Sequence, residues 1–577
     1  MFENIWLIPF LPLLAFLLLV FYGGRISRTV ASWIGCGFLG VSAILSIIAV
    51  FAFINPPVSD PIKYVETTIG TWMEVGAFQA NFGFRVDALS LLMTLVVTVV
   101  GTLIFIFSTE YMAEDRDYSR FFAYMNLFAF SMLVLVLADN LLFLILGWEG
   151  VGLCSYLLIG FWYSNPENGY AARKAFITTR IGAIGLILAS LALFQTTGTL
   201  HLQSIFDTIV PDGGSPLWQV DSTIAVCVTA MLLLAAIGKS AQLPLQVWLP
   251  DAMAGPTPTS ALIHAATMVT AGVYLIARTH PLFQLAPSIM MTVAIIGTAT
   301  MLISGTTALV QRDIKRVLAY STISQIGYMF MALGAGAFTA AMFHFYTHAI
   351  FKALLFLSAG AIITAQHHKQ DMFEMGGLRK LLPSVYWPFL LGAASLAAIP
   401  FITSGFYSKD LILWKAYELE SGHHFIVIAG FIGAFITAVY TFRMVFITFN
   451  GPSKTEISHK PGLPMVGVLT VLAILSVVAG FIEIPKHLGG IHAFSGFLGN
   501  VIRDSEPRAG ISHTTEILFQ GIATALVAIA ILIAWKQYGK GATEAPILGG
   551  TGRFLYRGWN FDGLYKVMIL NPYAAFC

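Results

Sequence analysis

The chain has 577 residues, 57% of them hydrophobic and only 10% charged, with a mean hydropathy of +0.80, whereas an ordinary soluble domain carries roughly 25% charge. A soluble globular protein is excluded. Lys+Arg number 31 against 29 Asp+Glu, a net charge of +2 with no basic tail, so no nucleic-acid partner is expected.

From the N-terminus onward, apolar runs long enough for the ~30 Å hydrocarbon core recur throughout the chain. The pattern predicts an all-α polytopic membrane protein with about fifteen spans, near 5–22, 30–54, 88–109, 119–137, 140–160, 174–197, 222–240, 257–279, 286–308, 314–334, 336–364, 384–417, 425–449, 462–482 and 515–535. The first run follows Glu3 and no basic residue, the wrong flank for a cleaved signal peptide, and is read as a retained span. Of the four cysteines, Cys36, Cys154 and Cys227 lie in apolar runs without a close pair and Cys577 ends the chain. They offer no disulfide framework and no iron–sulfur or zinc site.

Two spans look interrupted. Pro244, Pro250, Pro256 and Pro258 follow Lys239, and Pro400 and Gly405 precede Lys409. Backbone groups freed by such breaks persist at membrane depth only where protein or a wet cavity covers them.

Counting Lys and Arg in alternate loops sets the expected orientation. The loops near 22–29, 110–120, 161–174, 241–256, 309–316, 365–383, 441–461 and 536–577 hold 20; the intervening set holds 5. The positive-inside rule then puts the N-terminus outside and the C-terminus in the cytoplasm. The six remaining basic residues, Arg180, Lys239, Arg278, Lys352, Lys409 and Lys415, lie in or at the ends of spans.

An ionisable group near the centre of a span costs about 2.5–3.5 kcal/mol on insertion scales, so each is a functional candidate. Glu149 sits mid-span among glycines that permit close helix approach; its alternative is a structural anchor for a basic neighbour. Lys239 lies just before the Pro244 break, where freed carbonyls can solvate an ammonium; its alternative is a lysine snorkelling to the interface. His344, His348 and Lys352 recur at i, i+4 and i+8, which stacks three titratable groups along one helix face. This is a relay spacing; zinc is disfavoured because no catalytic Glu follows the first histidine and a cation occupies the next turn. His264 is either a core histidine or a relay group one span after Lys239. Lys409-Asp410 holds one net proton between two groups, or forms a structural ion pair. Gly35-Cys-Gly37-Phe-Leu-Gly40 fits a dinucleotide fingerprint but lies inside an apolar span with no preceding strand, where helix packing by small residues explains it better; with no redox-cofactor or nucleotide site surviving, any transport must draw on an ion gradient or a partner.

Several motifs carry a resemblance: Gly-Trp-Glu149-Gly-Val-Gly-Leu-Cys-Ser-Tyr, Gly-Lys239-Ser-Ala-Gln-Leu-Pro-Leu-Gln, Asp251-Ala-Met-Ala-Gly-Pro-Thr-Pro-Thr-Ser-Ala-Leu-Ile-His264, Asp313-Ile-Lys-Arg-Val-Leu-Ala-Tyr-Ser-Thr and Tyr407-Ser-Lys409-Asp410. From about residue 1 to 570 the chain resembles the subunit L family of bacterial proton-translocating NADH:quinone oxidoreductase, respiratory complex I, more than that family's two shorter antiporter-like relatives. The resemblance implies a cofactor-free membrane-arm pump in the bacterial inner membrane, with NADH, FMN, iron–sulfur clusters and quinone in partner subunits. It implies lipids, the neighbouring antiporter-like subunit and other membrane-arm subunits as partners, and protons as the transported ion. It further implies N-terminal helices over 1–118, two inverted five-helix repeats over 119–280 and 281–449, and C-terminal helices with the start of a lateral helix over 450–577. By carry-over Glu149 pairs with Lys239, Arg180 is a charge partner, His264, His344, His348 and Lys352 form a central polar axis, and Lys409 with Asp410 faces the exit side.

Two departures stand out. The family pattern Arg-x-Gly-Asp reads Arg180-Ile-Gly182-Ala183 here, so a carboxylate expected beside Glu149 is missing. The chain also stops at Cys577, where the family's long lateral helix begins and leads to a sixteenth span. Competing readings are the large subunit of a multi-subunit sodium/proton antiporter, the membrane partner of an inorganic-carbon uptake module, and a scaffold that moves no ions. Antiporter subunits usually carry extra C-terminal domains, against which this chain is short.

Overall fold

The computed structural model describes residues 2–55, 63–76, 78–211, 214–508, 513–542 and 544–576; Cys577 lies outside them. Helices α1 (Leu7–Tyr22) and α2 (Arg28–Ile54) lead into an antiparallel hairpin, β1 (Tyr64–Val75) and β2 (Phe78–Asp87). Next come α3 (Ala88–Tyr111), α4 (Tyr118–Leu137), α5 (Leu141–Ile159), α6 (Pro166–Thr197), the short α7 (Leu202–Ile209) and α8 (Thr223–Lys239). Past the proline-rich stretch lie α9 (Thr257–Ala261), a π-helical turn (Leu262–Ala266), a 3-10 turn (Met268–Thr270), α10 (Ala271–Arg278) and α11 (His280–Gln284). The chain continues through α12 (Pro287–Ala308), α13 (Ile314–Gly334), α14 (Phe338–Ala365), α15 (Leu378–Leu381), α16 (Pro383–Ala397), α17 (Ser404–Glu418), α18 (His424–Phe449), α19 (Leu463–Val478), α20 (Ala493–Leu498) and α21 (His513–Tyr538). Short helices α22 (Gly550–Tyr556), α23 (Phe561–Tyr565) and α24 (Asn571–Phe576) complete the described chain.

Among the described residues, thirteen helical runs are long and apolar enough to cross a membrane, and α8 is a shorter apolar helix. The outer helices expose large apolar side chains such as Trp33, Phe51, Leu191 and Ile428, as lipid contact requires. By contrast α13, α14 and the interrupted run 257–278 are buried on almost every side. Helix α14 is the central post, packed against α3, α9, α13, α16, α17, α19 and the π turn.

The all-α expectation needs one correction: 64–87 is a β-hairpin. Its first strand, Tyr64-Val-Glu-Thr-Thr-Ile, is rich in β-branched residues between charged and polar ones, which suits a half-buried ladder. Hydropathy alone passes over such a segment. Asp87 then ends the ladder and starts α3: its carboxylate accepts from Ser90 N–H at 2.9 Å, and Ser90 Oγ accepts from Asp87 N–H at 2.8 Å.

The helical path breaks in three places. Helix α8 stops at Lys239, and Ala241 turns through the left-handed region (φ +48°). The run 257–278, expected as one intact span, contains a π turn and an unwound Thr267 (φ −134°, ψ −102°). The expected span 384–417 divides into α16 and α17, where Ala398 and Phe401 both take positive φ. A Cβ on Gly405 would fall 1.8 Å from the Ser395 carbonyl oxygen, so only glycine lets α17 start beside the end of α16.

Contacts between loops sort them into two ends of the bundle. At one end, Lys174 pairs with Asp251 (2.6 Å) and Asp562 (2.7 Å), Arg316 with Asp251 (3.0 Å), and Trp162 Nε1 donates to Asp115 (2.9 Å). At the other, His201 meets Glu66 (3.2 Å), Gln284 donates to the Arg503 carbonyl (3.0 Å), and Asp504 accepts from Thr339 N–H (2.9 Å). The first group belongs to the loops that hold 20 basic residues and the second to those that hold 5. They are called the base-rich and base-poor ends below.

Candidate functional site: a buried row of titratable groups

Glu149 on α5 and Arg180 on α6 form an ion pair at 2.9 Å (Nη1–Oε1). No Glu149–Lys239 pair within 4 Å is present among the described residues, so the charge partner of Glu149 here is Arg180. Lys239 is nonetheless adjacent: a Cβ built on Gly152 would lie 2.7 Å from Lys239 Nζ and 3.9 Å from Glu149 Oε2. Its ammonium also sits 5.9 Å from the Trp148 ring centroid. Close approach is general in this region, because Gly182 and Gly238 bring α6 and α8 nearly into backbone contact. Ala183, where the family carboxylate is missing, is buried one turn from Arg180.

Trp248 donates its Nε1–H to the Gly238 carbonyl at 3.2 Å and faces His264, ring centroids 6.5 Å apart. His264 lies in the π turn, fully buried, with both ring nitrogens lacking a protein partner. The charges of Lys315 and Lys352 act on it. His348 on α14 also has two unpartnered buried nitrogens and lies next to the backbone at Ala265. Buried polar atoms without protein partners are sites that ordered water fills.

His344 is held at both nitrogens: Nδ1 to Ser408 Oγ (2.9 Å) and Nε2 to Gln325 Oε1 (3.2 Å). Thr347 donates to the same Ser408 oxygen at 2.8 Å, so Ser408 donates to Nδ1 and Gln325 accepts from Nε2–H. Lys352 points its ammonium at the Leu318 carbonyl (3.4 Å) and the Ser321 hydroxyl, both on α13.

Lys409 donates to the Leu396 carbonyl at 2.8 Å, an acceptor freed where α16 ends, and lies 5.4 Å from the Tyr328 ring centroid. Asp410 does not pair with it. Neighbours on a helix diverge by about 100°, and Asp410 instead faces α21, lining a small hollow with Glu516. Asp410 is 8% exposed, with Oδ2 lacking a protein partner. Beside that hollow, a cavity of about 560 Å³ lined by Tyr407, Trp414, Glu418, Glu483, Asp504 and Glu516 lies at the base-poor end. Burial raises the Asp504 carboxyl above its ordinary range.

Sequence reasoning missed Lys315, Ser321, Gln325 and Ser408. For the three on α13 the signal was periodic: with Leu318 and Tyr328 they form the series 315, 318, 321, 325 and 328, which recurs every three or four residues along one face of that helix. Each of the last four holds one member of the buried row. The bundle's other buried charges are structural. Arg278 forks onto Asp87, with Nη2–Oδ1 at 2.9 Å, and Arg85 joins at 2.9 Å. Burial alone would raise the Asp87 carboxyl, but the charges and hydrogen bonds of Arg278, with Arg85, hold it well below the usual carboxylate range.

Fold and site together define a polytopic membrane protein with a series of buried titratable groups set on one unbroken central helix and on three interrupted helical segments around it. Comparison with known proteins places it more narrowly. The family model described as NADH:quinone oxidoreductase/Mrp antiporter, TM matches residues 138–437, and that described as NADH-Ubiquinone oxidoreductase (complex I), chain 5 N-terminus matches 72–122. NADH-quinone oxidoreductase subunit L of Pseudomonas aeruginosa is 50% identical over 576 residues, covering 98% of this chain and 89% of that one. The Escherichia coli protein of the same name is 48% identical over 572 residues, with the same coverage. Among solved structures, a chain of the Mrp complex from Dietzia sp. DQ12-45-1b superposes with a TM-score of 0.76 at 25% identity, covering 97% of this chain; the present chain spans 60% of that longer one. The chain belongs to the NADH-quinone oxidoreductase subunit L family.

Proposed function

We propose that the chain is the proton-translocating antiporter-like subunit of a bacterial NADH:quinone oxidoreductase, a multi-pass protein of the inner membrane that works without a redox cofactor of its own. The observation that carries this reading is the buried series Lys239, His264, Lys352, His348, His344, Lys409 and Asp410, with the half-buried Glu149 and its exposed partner Arg180 beside Lys239. Keeping that many ionisable groups out of water is costly, and a fold that only filled space would replace them with apolar residues. NADH, FMN, iron–sulfur clusters and quinone then reside in partner subunits, with the neighbouring antiporter-like subunit and lipids in lateral contact.

In this reading the base-rich end faces the cytoplasm, about fifteen spans cross the bilayer, and 119–280 and 281–449 are inverted repeats whose broken elements carry Lys239 and Lys409. The interruptions supply what a buried ammonium needs: main-chain carbonyls for Lys409, a tryptophan face for Lys239. Quinone chemistry elsewhere biases one charge, neighbouring charges shift in response, and protons advance until Asp410 releases one to the base-poor cavity.

The whole complex in proteoliposomes tests it. Glu149→Ala and Lys239→Ala should abolish most proton uptake per NADH oxidised, while Lys460→Ala, at an exposed site, leaves it unchanged; equal pumping by all three sinks the proposal. Likeness to the Mrp chain favours sodium/proton exchange as the second reading. Purification of the native protein without quinone-reducing subunits, together with sodium-dependent transport, would select it. Ala183→Asp tests the first departure: unchanged coupling makes that carboxylate dispensable.

A further inference from the structure

Lys315 is a buried lysine that the row above does not use. It stands in the first turn of α13 at the base-rich end, only 2% exposed. Its Nζ donates to the Met253 carbonyl at 2.6 Å and the Gly255 carbonyl at 2.9 Å. Among the described residues it has no carboxylate within 4 Å. Its neighbours divide the local acids: Asp313 caps the helix through the N–H groups of Lys315 (2.7 Å) and Arg316 (3.2 Å), while Asp251 takes Lys174 and Arg316.

The position is a poor one for a permanent cation. The first turn of a helix carries the positive end of its dipole, and a buried ammonium without a counter-ion is costly. Main-chain carbonyls take the place of a counter-ion, as they do for Lys409 where α16 ends: those that hold Lys315 come from the irregular stretch ahead of the interrupted run 257–278. Helix α13 also packs against the π turn that carries His264, whose nitrogens have no protein partner, and the Lys315 charge acts on that ring. Within the next two turns of α13, Leu318 and Ser321 hold the Lys352 ammonium. Thr259 and Ser260 on α9 and Ser358 on α14 add buried hydroxyls without protein partners on elements packed around the same place.

We propose that Lys315 is the proton-uptake station of the row at the base-rich end. The step is a simple exchange: an N–H bond of the Lys315 ammonium breaks, the proton passes through water or His264 to the free amine of Lys352, and the Lys315 amine regains a proton from water at the base-rich face. This rests on the proton-translocating reading above.

The test uses the whole complex in proteoliposomes, with proton uptake per NADH oxidised and uncoupled NADH oxidation measured across pH. Lys315→Arg keeps the charge and the carbonyl contacts but releases no proton at working pH; it is expected to lose pumping while retaining uncoupled oxidation. Lys315→Gln keeps a donor for the carbonyls without a titrating group and should lose pumping too. Lys315→His is expected to recover part of it, with the pH profile displaced to the acid side in the sense of the roughly four-unit gap between ordinary histidine and lysine pKa values. Wild-type pumping by the Arg variant, or by the Gln variant if Arg does not assemble, would overturn the proposal and leave Lys315 a structural pin. Failure of the underlying reading looks different: Lys239→Ala would then pump normally.

Discussion

At the scale of single residues, several of the buried ionisable groups depend on a neighbour whose identity is exacting. Gly152 is the clearest case, because Lys239 Nζ occupies the space where any side chain would begin. Gly152→Ala is expected to push the ammonium away from Glu149 and lower proton uptake per NADH several-fold, with subunit assembly intact; the check is pumping measured beside the uncoupled oxidation rate. His344 depends on Gln325 and Ser408 for its tautomer and orientation. Gln325→Leu removes the acceptor for Nε2–H at nearly constant volume and leaves a buried donor unpaired, a loss of about 1–3 kcal/mol at that site. Pumping should fall more in Gln325→Leu than in Gln325→Glu, which keeps an acceptor. Among these residues, Glu149, Lys239 and the α14 histidines were legible in sequence because a charge inside an apolar run is conspicuous. Gln325 and Ser408 were not, since an uncharged polar residue in a membrane helix is common and only its partner makes it informative.

Secondary elements add a second kind of dependence, in which charges fix how segments dock. The Asp87–Arg278 fork joins the end of the hairpin to α10 deep in the protein. Arg278→Met leaves the buried Asp87 carboxylate with Arg85 as its one remaining cation, and breaking a buried pair costs up to about 3–5 kcal/mol; thermal denaturation of the purified complex should show a lowered midpoint for this subunit. Nearby, His201 at the start of α7 meets Glu66 on β1. The Glu66 hydrogen bond raises the His201 pKa against the opposing effect of burial. A raised folded-state value means the contact stabilises fully below the ordinary histidine pKa of about 6.5 and is lost as pH climbs through the folded value. Protection of backbone amides in 64–75 against exchange should therefore weaken above neutral pH, after correction for intrinsic rates, and Glu66→Gln should flatten that dependence. The hairpin itself was invisible to hydropathy, whereas the break before α17 was announced by Pro400 and Gly405.

Across the whole molecule, the two sets of loops separate cleanly, and the base-rich end is gathered by the Lys174, Asp251, Arg316 and Asp562 network. Through it, α23 reaches the stretch that follows Lys239, where Tyr565 also donates to the Pro244 carbonyl. Such partly exposed pairs are individually worth little, so their effect lies in joining distant segments. The orientation is directly measurable. A single cysteine at Thr68 should react with a membrane-impermeant maleimide in intact spheroplasts, and one at Arg557 only after permeabilisation. The reverse pattern would invert the topology.

Sequence alone determined the membrane class, the near-positions of the helices, the sorting of basic residues between alternate loops, and most of the buried row. These follow from single-residue transfer energies, which are local and additive enough to read along a chain. Tertiary structure decided the rest. It alone separated Glu149 from Lys239 by more than ion-pair distance, turned Asp410 away from Lys409, unwound the helix around Thr267, and buried Lys315, which its place in a basic loop had disguised as a surface charge. Each of these depends on which carbonyl, glycine or ring from a distant segment arrives within about 3–6 Å, the range over which hydrogen bonds and close charges act, and no one-dimensional pattern carries that information.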